Sequence, residues 1–211
     1  MKNKIEKIVE ILDKLYPVTG GELNYETPFQ LLVGTILAAQ ATDKKVNEVT
    51  KELFSKYKTP YDFIKLSQSA LEKEISQIHF YPTKAKHILA MSDKLIKRFG
   101  GEVPADREKL MELDGVGRKT ANVILSYAFN IQAIAVDTHV FRVANRLGIV
   151  DAENVLKAEL QMQKTIPEKW WSKTHSGLVL HGRRVCTAKK PKCGICELSA
   201  YCSYYKEEVK E

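Results

Sequence analysis

The chain has 211 residues, 44% of them hydrophobic, and 33 Lys and Arg against 26 Asp and Glu give a formal charge of +7. That length and apolar content exclude a disordered chain and allow one large domain or two small ones. No apolar run reaches the ~18 residues of a membrane span and MKNKIEKIVEIL lacks a signal-peptide core, so a cytoplasmic protein with a polyanionic partner and no membrane contact is expected.

Helical spacing of apolar residues runs through nearly the whole chain. Ile5, Ile8, Val9, Leu12 and Leu15 mark a first helix, stopped by Pro17 and Gly20-Gly21. Thr27-Pro28-Phe29-Gln30 has the form of a capping box with proline at the first helical position, and opens an apolar helix through Leu37. Val46, Val49, Leu53 and Phe54 define the next helix, and Thr59-Pro60 starts another turn. Ser69-Ala70-Leu71-Glu72 reads as a second capping box, leading to Ile75 and Ile78. Ala85, Ile88, Leu89, Leu95 and Ile96 continue to a stop at Gly100-Gly101. Further helices are predicted at 107–113, 118–129, 138–147, 153–164 and 168–183. Ile131 to Val136 resembles a strand but has no partner run, so it reads as a connector and the fold class as all-α.

Between two of these helices lies Leu113-Asp114-Gly115-Val116-Gly117-Arg118-Lys119-Thr120. Glycines at 115 and 117 would let the backbone take positive φ and approach a ligand. A helix begins there, so its unpaired amides and positive dipole end form an anion site suited to a phosphate. A plain glycine-rich turn between helices fits the segment in isolation equally well. Next come Asp137, which as an acid before a helix is also a natural N-cap, and His139, more often a packed or capping histidine than a catalytic one.

All four cysteines stand near the end of the chain: Cys186, Cys193, Cys196 and Cys202, spaced C-x6-C-x2-C-x5-C. They read as one centre of four sulfur ligands, either an iron–sulfur cluster or a structural zinc. Zinc patterns use two short pairs, whereas only Cys193 and Cys196 form one, so the spacing favours a [4Fe–4S] cluster. A disulfide framework is the weaker reading, since a chain of this length builds a core without staples. The loop between the first two cysteines carries Lys189, Lys190 and Lys192, and Arg183 and Arg184 precede it.

Taken together, LDGVGRKTANVIL, AVDTHVFRVANR and LHGRRVCTAKKPKCGICELSAYC resemble the endonuclease III family of DNA glycosylases, with LLVGTILAAQATDKKVN extending the likeness upstream. The resemblance implies a helix–hairpin–helix glycosylase fold, two helical domains flanking a DNA-binding groove. One would span 22–132 with the hairpin; the other would join 1–21 to 133–211 and hold the [4Fe–4S] cluster on Cys186, Cys193, Cys196 and Cys202. It implies excision of oxidised pyrimidines from double-stranded DNA, strand cleavage at abasic sites, and a monomer. Lys119 falls at the family's nucleophile position and Asp137 at its catalytic carboxylate. Gln40 matches the residue that fills the gap left by an extruded nucleotide, and Gly115, Val116, Gly117 and Arg118 match the hairpin that grips DNA. Lys189, Lys190 and Lys192 are further candidate phosphate contacts.

Two departures from the family pattern stand out. His79-Phe80-Tyr81-Pro82 replaces a Gly-Leu-Tyr-type turn, leaving Phe80 or Tyr81 as the candidate wedge between bases, and Asp114 stands where proline is usual. The competing readings are a monofunctional mismatch glycosylase and a non-catalytic DNA-binding iron–sulfur protein. Relatives that remove mismatched thymine, or adenine opposite oxidised guanine, generally lack a lysine at position 119, and the latter carry a domain beyond the equivalent of Glu211.

Overall fold

A computed structural model describes residues 2–17 and 21–208. Among the described residues there is no strand, and twelve α-helices follow one another. They are α1 (Lys2–Leu15), α2 (Pro28–Ala38), α3 (Asp43–Lys56), α4 (Pro60–Phe63), α5 (Gln68–Glu74) and α6 (Tyr81–Phe99), then α7 (Arg107–Met111), α8 (Arg118–Phe129), α9 (Thr138–Leu147), α10 (Val155–Thr165), α11 (Trp171–Arg184) and α12 (Ser203–Glu208). Short 3-10 turns interrupt the last third, at Glu168–Trp170, Cys193–Ile195 and Ser199–Tyr201. Gly20, part of the predicted stop after the first helix, lies outside the described residues. No described helix is long and apolar enough to cross a membrane.

The chain divides into two compact units, one of Gly21–Asn130 and one of Met1–Gly20 with Ile131–Glu211. In the first, α2 is buried on almost every side, from Phe29 through Leu37, and packs against α3, α6 and α8. A helix apolar all round belongs at a core's centre, and each fully buried Leu or Ile contributes about 1.5–3 kcal/mol. In the second, α9 turns Val140, Val143, Ala144 and Leu147 into a core shared with Ile5, Ile8, Val9 and Leu12 of α1, and packs against α11. Ala133 to Val136 are buried in that unit as a connector outside any helix, as their apolar run requires.

The helix starts refine the sequence reading. Thr27 accepts from the Gln30 amide as foreseen, but the Gln30 side chain reaches past it to the Glu26 amide, at 2.7 Å. The complete reciprocal box is at Thr59, whose partner is Asp62. The predicted box at Ser69 does not form. Ser67 caps α5 instead, accepting from the Ala70 amide, which places Ser69 inside the helix and its hydroxyl 3.1 Å from that of Ser67. Both serines are competent caps; starting at Gln68 gives a longer helix while keeping Leu71 and Ile75 fully buried.

Candidate functional site

The hairpin joins α7 to α8 within the Gly21–Asn130 unit. The Val116 amide donates to the Leu113 carbonyl at 3.1 Å, closing the turn and burying the Val116 side chain to 6% exposure. Val116 therefore offers a ligand its backbone and not its side chain. Gly115 has φ +79, and a Cβ there would meet the His87 side chain at 3.1 Å, so it is glycine for the reason the sequence suggested. Gly117 does not follow that reasoning: it is extended, φ −92 and ψ 177, as the N-cap of α8, with open space where a Cβ would stand. Its use is the absence of a side chain, since no side chain caps the first amides of α8. Lys119, the second residue of this helix, is exposed rather than buried against the core.

Asp114 does not face the hairpin as a lone negative charge. Its carboxylate pairs with Lys94 of α6 at 2.9 Å, and the same ammonium donates to the Glu112 carbonyl at 2.7 Å. An acid in the place usual for proline is thereby largely neutralised at the hairpin's entry.

Gln40 and Phe80 are both exposed and both left-handed, with φ 56 and φ 58. Phe80, 63% exposed, precedes the first turn of α6, whereas Tyr81 is half-buried as the first residue of that helix. A non-glycine residue in this region is uncommon, and for a bulky aromatic it is strained. Gln40, Phe80 and Gly115 line one pocket together with Lys84, His87 and Thr120. Neither Lys84 nor His87 stood out in the sequence, because each lies inside an ordinary helical pattern; Lys84 is a lysine on what the periodicity places close to the buried stripe of Ala85 and Ile88.

In the other unit, Asp137 is the N-cap of α9. Its Oδ1 accepts from the amides of His139 at 2.9 Å and Val140 at 2.8 Å. The capping role is thus real and occupies one oxygen, leaving Oδ2 with no donor among the described residues on a half-buried side chain. Five residues on, Arg142 donates to the carbonyls of Cys186 and Gly182, at 3.0 Å each, and lies 3.2 Å from Nδ1 of His139.

All four cysteines line one pocket, with His181, Arg146, Tyr204 and Tyr205. Arg146 places Nη1 3.5 Å from Cys186 Sγ, and His181 places Nε2 3.5 Å from Cys196 Sγ while Nδ1 meets the Tyr16 hydroxyl at 3.2 Å. Burial pushes the His181 pKa down to about 4, so the ring is neutral. Burial also pushes the Cys196 and Cys202 thiols up, so ligation must displace their protons. Four thiols around one pocket are a donor set that fits an iron–sulfur cluster, whose ligands bind different corners. Arg142, Arg146 and His181 were missed by sequence reasoning, although the i, i+4 arginines after Asp137 and a histidine five residues before the first cysteine were visible signals.

The lysines of the cluster loop, Lys189, Lys190 and Lys192, are exposed. Thr187 donates to the Lys190 carbonyl at 2.7 Å, the Lys192 amide to Val185 at 3.0 Å, and Arg146 to Thr187 and Ala188, so the loop is tied at several points.

Residues 33–169 match the family described as HhH-GPD superfamily base excision DNA repair protein, and residues 186–202 match the iron-sulfur binding domain of endonuclease III. The endonuclease III of Rickettsia conorii is 45% identical over 201 residues, covering 95% of this chain and 96% of its own. A solved structure of a trapped endonuclease III–DNA covalent intermediate, in an estranged-adenine complex, is 44% identical, with a TM-score of 0.92 over 98% of this chain and 97% of that one. A non-covalent endonuclease III–DNA complex is 43% identical, with a TM-score of 0.93 over 100% of this chain and 99% of the other.

Proposed function

Because the chain belongs to the endonuclease III family of the HhH-GPD superfamily, we propose that it is a bifunctional DNA glycosylase and abasic-site lyase of base excision repair, acting on oxidised pyrimidines in duplex DNA. The observation that carries this is an exposed lysine, Lys119, immediately after an uncapped, glycine-opened helix start, in a chain similar over nearly its full length to one trapped in covalent linkage with DNA. DNA is the partner, and the protein works as a monomer on a duplex whose damaged nucleotide has been turned out of the stack.

In this reading the Lys119 amine attacks C1′ of the deoxyribose. A nitrogen–carbon bond forms, the glycosidic bond breaks, and its electron pair leaves with the base, which takes up a proton. Opening of the sugar ring gives a Schiff base. That cation acidifies C2′; loss of a C2′ proton expels the 3′ phosphate by β-elimination, and water then releases the enzyme. Only an amine supports the second stage, because serine or aspartate forms no iminium. The free Oδ2 of Asp137 stabilises positive charge developing on the sugar. The amides at the start of α8, with Arg118, and the lysines of the cluster loop hold backbone phosphates. Gln40 fills the vacated position and Phe80, more exposed than Tyr81, is the wedge.

Cys186, Cys193, Cys196 and Cys202 hold a [4Fe–4S] cluster. When bound it supplies a rigid tether for the basic loop and no group for excision.

The test is borohydride trapping on an oligonucleotide carrying one oxidised pyrimidine. A covalent adduct that disappears in Lys119→Ala supports the assignment; strand cleavage that persists in that variant rejects it.

A further inference from the structure

Lys84 is only 5% exposed and lies in the wall of the pocket that Gln40 and Phe80 line, its ammonium turned onto backbone. Its Nζ donates to the carbonyls of Leu37 at 2.8 Å and Ala39 at 2.6 Å. Burial lowers its pKa, and no carboxylate among the described residues offsets that shift. A buried cation held by neutral groups is costly, and an apolar side chain of equal length would fill the space more cheaply.

Its placement explains what the charge does. The last carbonyls of a helix have no partner within it. At the end of α2, Ile36 is satisfied by the Ala39 amide and Ala38 by the Ala41 amide, while Leu37 and Ala39 are satisfied by Lys84. The Ala39 carbonyl belongs to the peptide that leads into Gln40, so the ammonium sets the plane from which Gln40 departs in its left-handed conformation. The backbone amide of the same lysine donates to the Phe80 carbonyl at 3.1 Å, in the first turn of α6. One residue thus touches the backbone at both strained positions, the Ala39–Gln40 peptide with its side chain and Phe80 with its main chain, at the pocket they share.

We propose that Lys84 is a positioning residue for lesion recognition: it fixes the Ala39–Gln40 peptide at a set distance from Phe80, so that the two side chains enter a duplex as one preformed unit. The inference rests on the function proposed above, in which these side chains occupy the gap and the stack. Without the clamp, two loops would have to order on binding, and that cost would fall only on duplexes that accept the insertion.

Equilibrium binding to a duplex with a tetrahydrofuran abasic analogue is compared with binding to the same duplex undamaged. In Lys84→Met the preference for the analogue is expected to fall about tenfold, the loss of hydrogen bonds to a charged donor, with undamaged-duplex affinity retained. In a Gln40→Ala background the same substitution should change the preference no further, because the clamp acts through Gln40. If Lys84→Met lacks a cooperative thermal transition, Lys84→Gln, which keeps one donor, takes its place in the cycle. An unaltered preference in the single variant, or an equal fall in both backgrounds, overturns the proposal and leaves the function standing. A wild-type protein with no preference for the analogue removes both.

Discussion

Arg146 sets its guanidinium against Cys186, with Nη1 3.5 Å from the sulfur, and with the same fork holds the carbonyls of Thr187 at 2.8 Å and Ala188 at 2.9 Å. Helix α9 thereby reaches the first cysteine and the start of the basic loop in one contact. The guanidinium also stacks on the Tyr204 ring, 4.6 Å from its centroid. Arg146→Ala is expected to loosen the loop by about 1.5–3 kcal/mol, the worth of charged hydrogen bonds. The iron-to-protein ratio and the visible charge-transfer absorbance should fall, and chelators should strip iron faster. Arg146→Lys should recover only part, since an ammonium cannot span the fork. Equal iron retention in all three proteins would reject the contact as a support for the cluster.

Oδ1 of Asp137 caps α9 while Oδ2 is the oxygen proposed to act in excision, and two substitutions separate the two roles. Asp137→Asn keeps an oxygen able to cap α9, so thermal stability should hold while base excision falls by about a hundredfold or more, the usual loss of a well-placed electrostatic group. Asp137→Ala should add a cap loss of about 1 kcal/mol, visible as a lowered Tm. If Asp137→Asn excises at the wild-type rate, the carboxylate is a cap and nothing more.

The two hairpin glycines should part company. Gly115→Ala forces an L-residue to φ +79 and a Cβ to 3.1 Å from His87, so a loss of about 1–2 kcal/mol is expected in urea titration. Gly117→Ala meets open space in extended backbone, so it should cost no more than the roughly 1 kcal/mol by which alanine is the poorer N-cap. Its methyl would stand beside the uncapped amides of α8, so DNA affinity should weaken by more than that small loss accounts for. A folded Gly117→Ala protein that binds DNA as tightly as wild type would contradict the use assigned to that position.

Burial lowers the Lys84 pKa below its ordinary 10.5. Below the lowered value both folded and unfolded chains hold the proton, and the folded state bears the whole cost of the buried charge. Between that value and 10.5 the unfolded chain binds a proton that the folded one has released, so stability rises with pH in this window. The unfolding free energy of wild type minus that of Lys84→Met should therefore climb as pH approaches 10.5 from below. A difference that stays flat would show that Lys84 titrates alike in both states.

Helix identity was legible because it depends on periods within about four residues. Thr27-Pro28, Asp137 and Gly100 sit at helix ends where local chemistry alone places them. Ser69 misled because two serines compete for one cap, and the choice was made by the length of helix that Leu71 and Ile75 anchor in the core. Gly117 misled because a glycine is needed both where φ is positive and where a side chain would obstruct, and composition does not tell these apart.

By itself the sequence determined the all-α class, the family resemblance and the grouping of the four cysteines. Each is a matter of residue type at short spacing, where backbone geometry leaves few choices. The tertiary structure alone decided that Asp114 is paired with Lys94, that Arg146 and His181 attend the cysteines, and that Lys84 joins Ala39 to Phe80. Those partners lie up to 47 residues apart for Lys84 and Leu37, and only packing of one helix on another brings such groups within hydrogen-bonding distance.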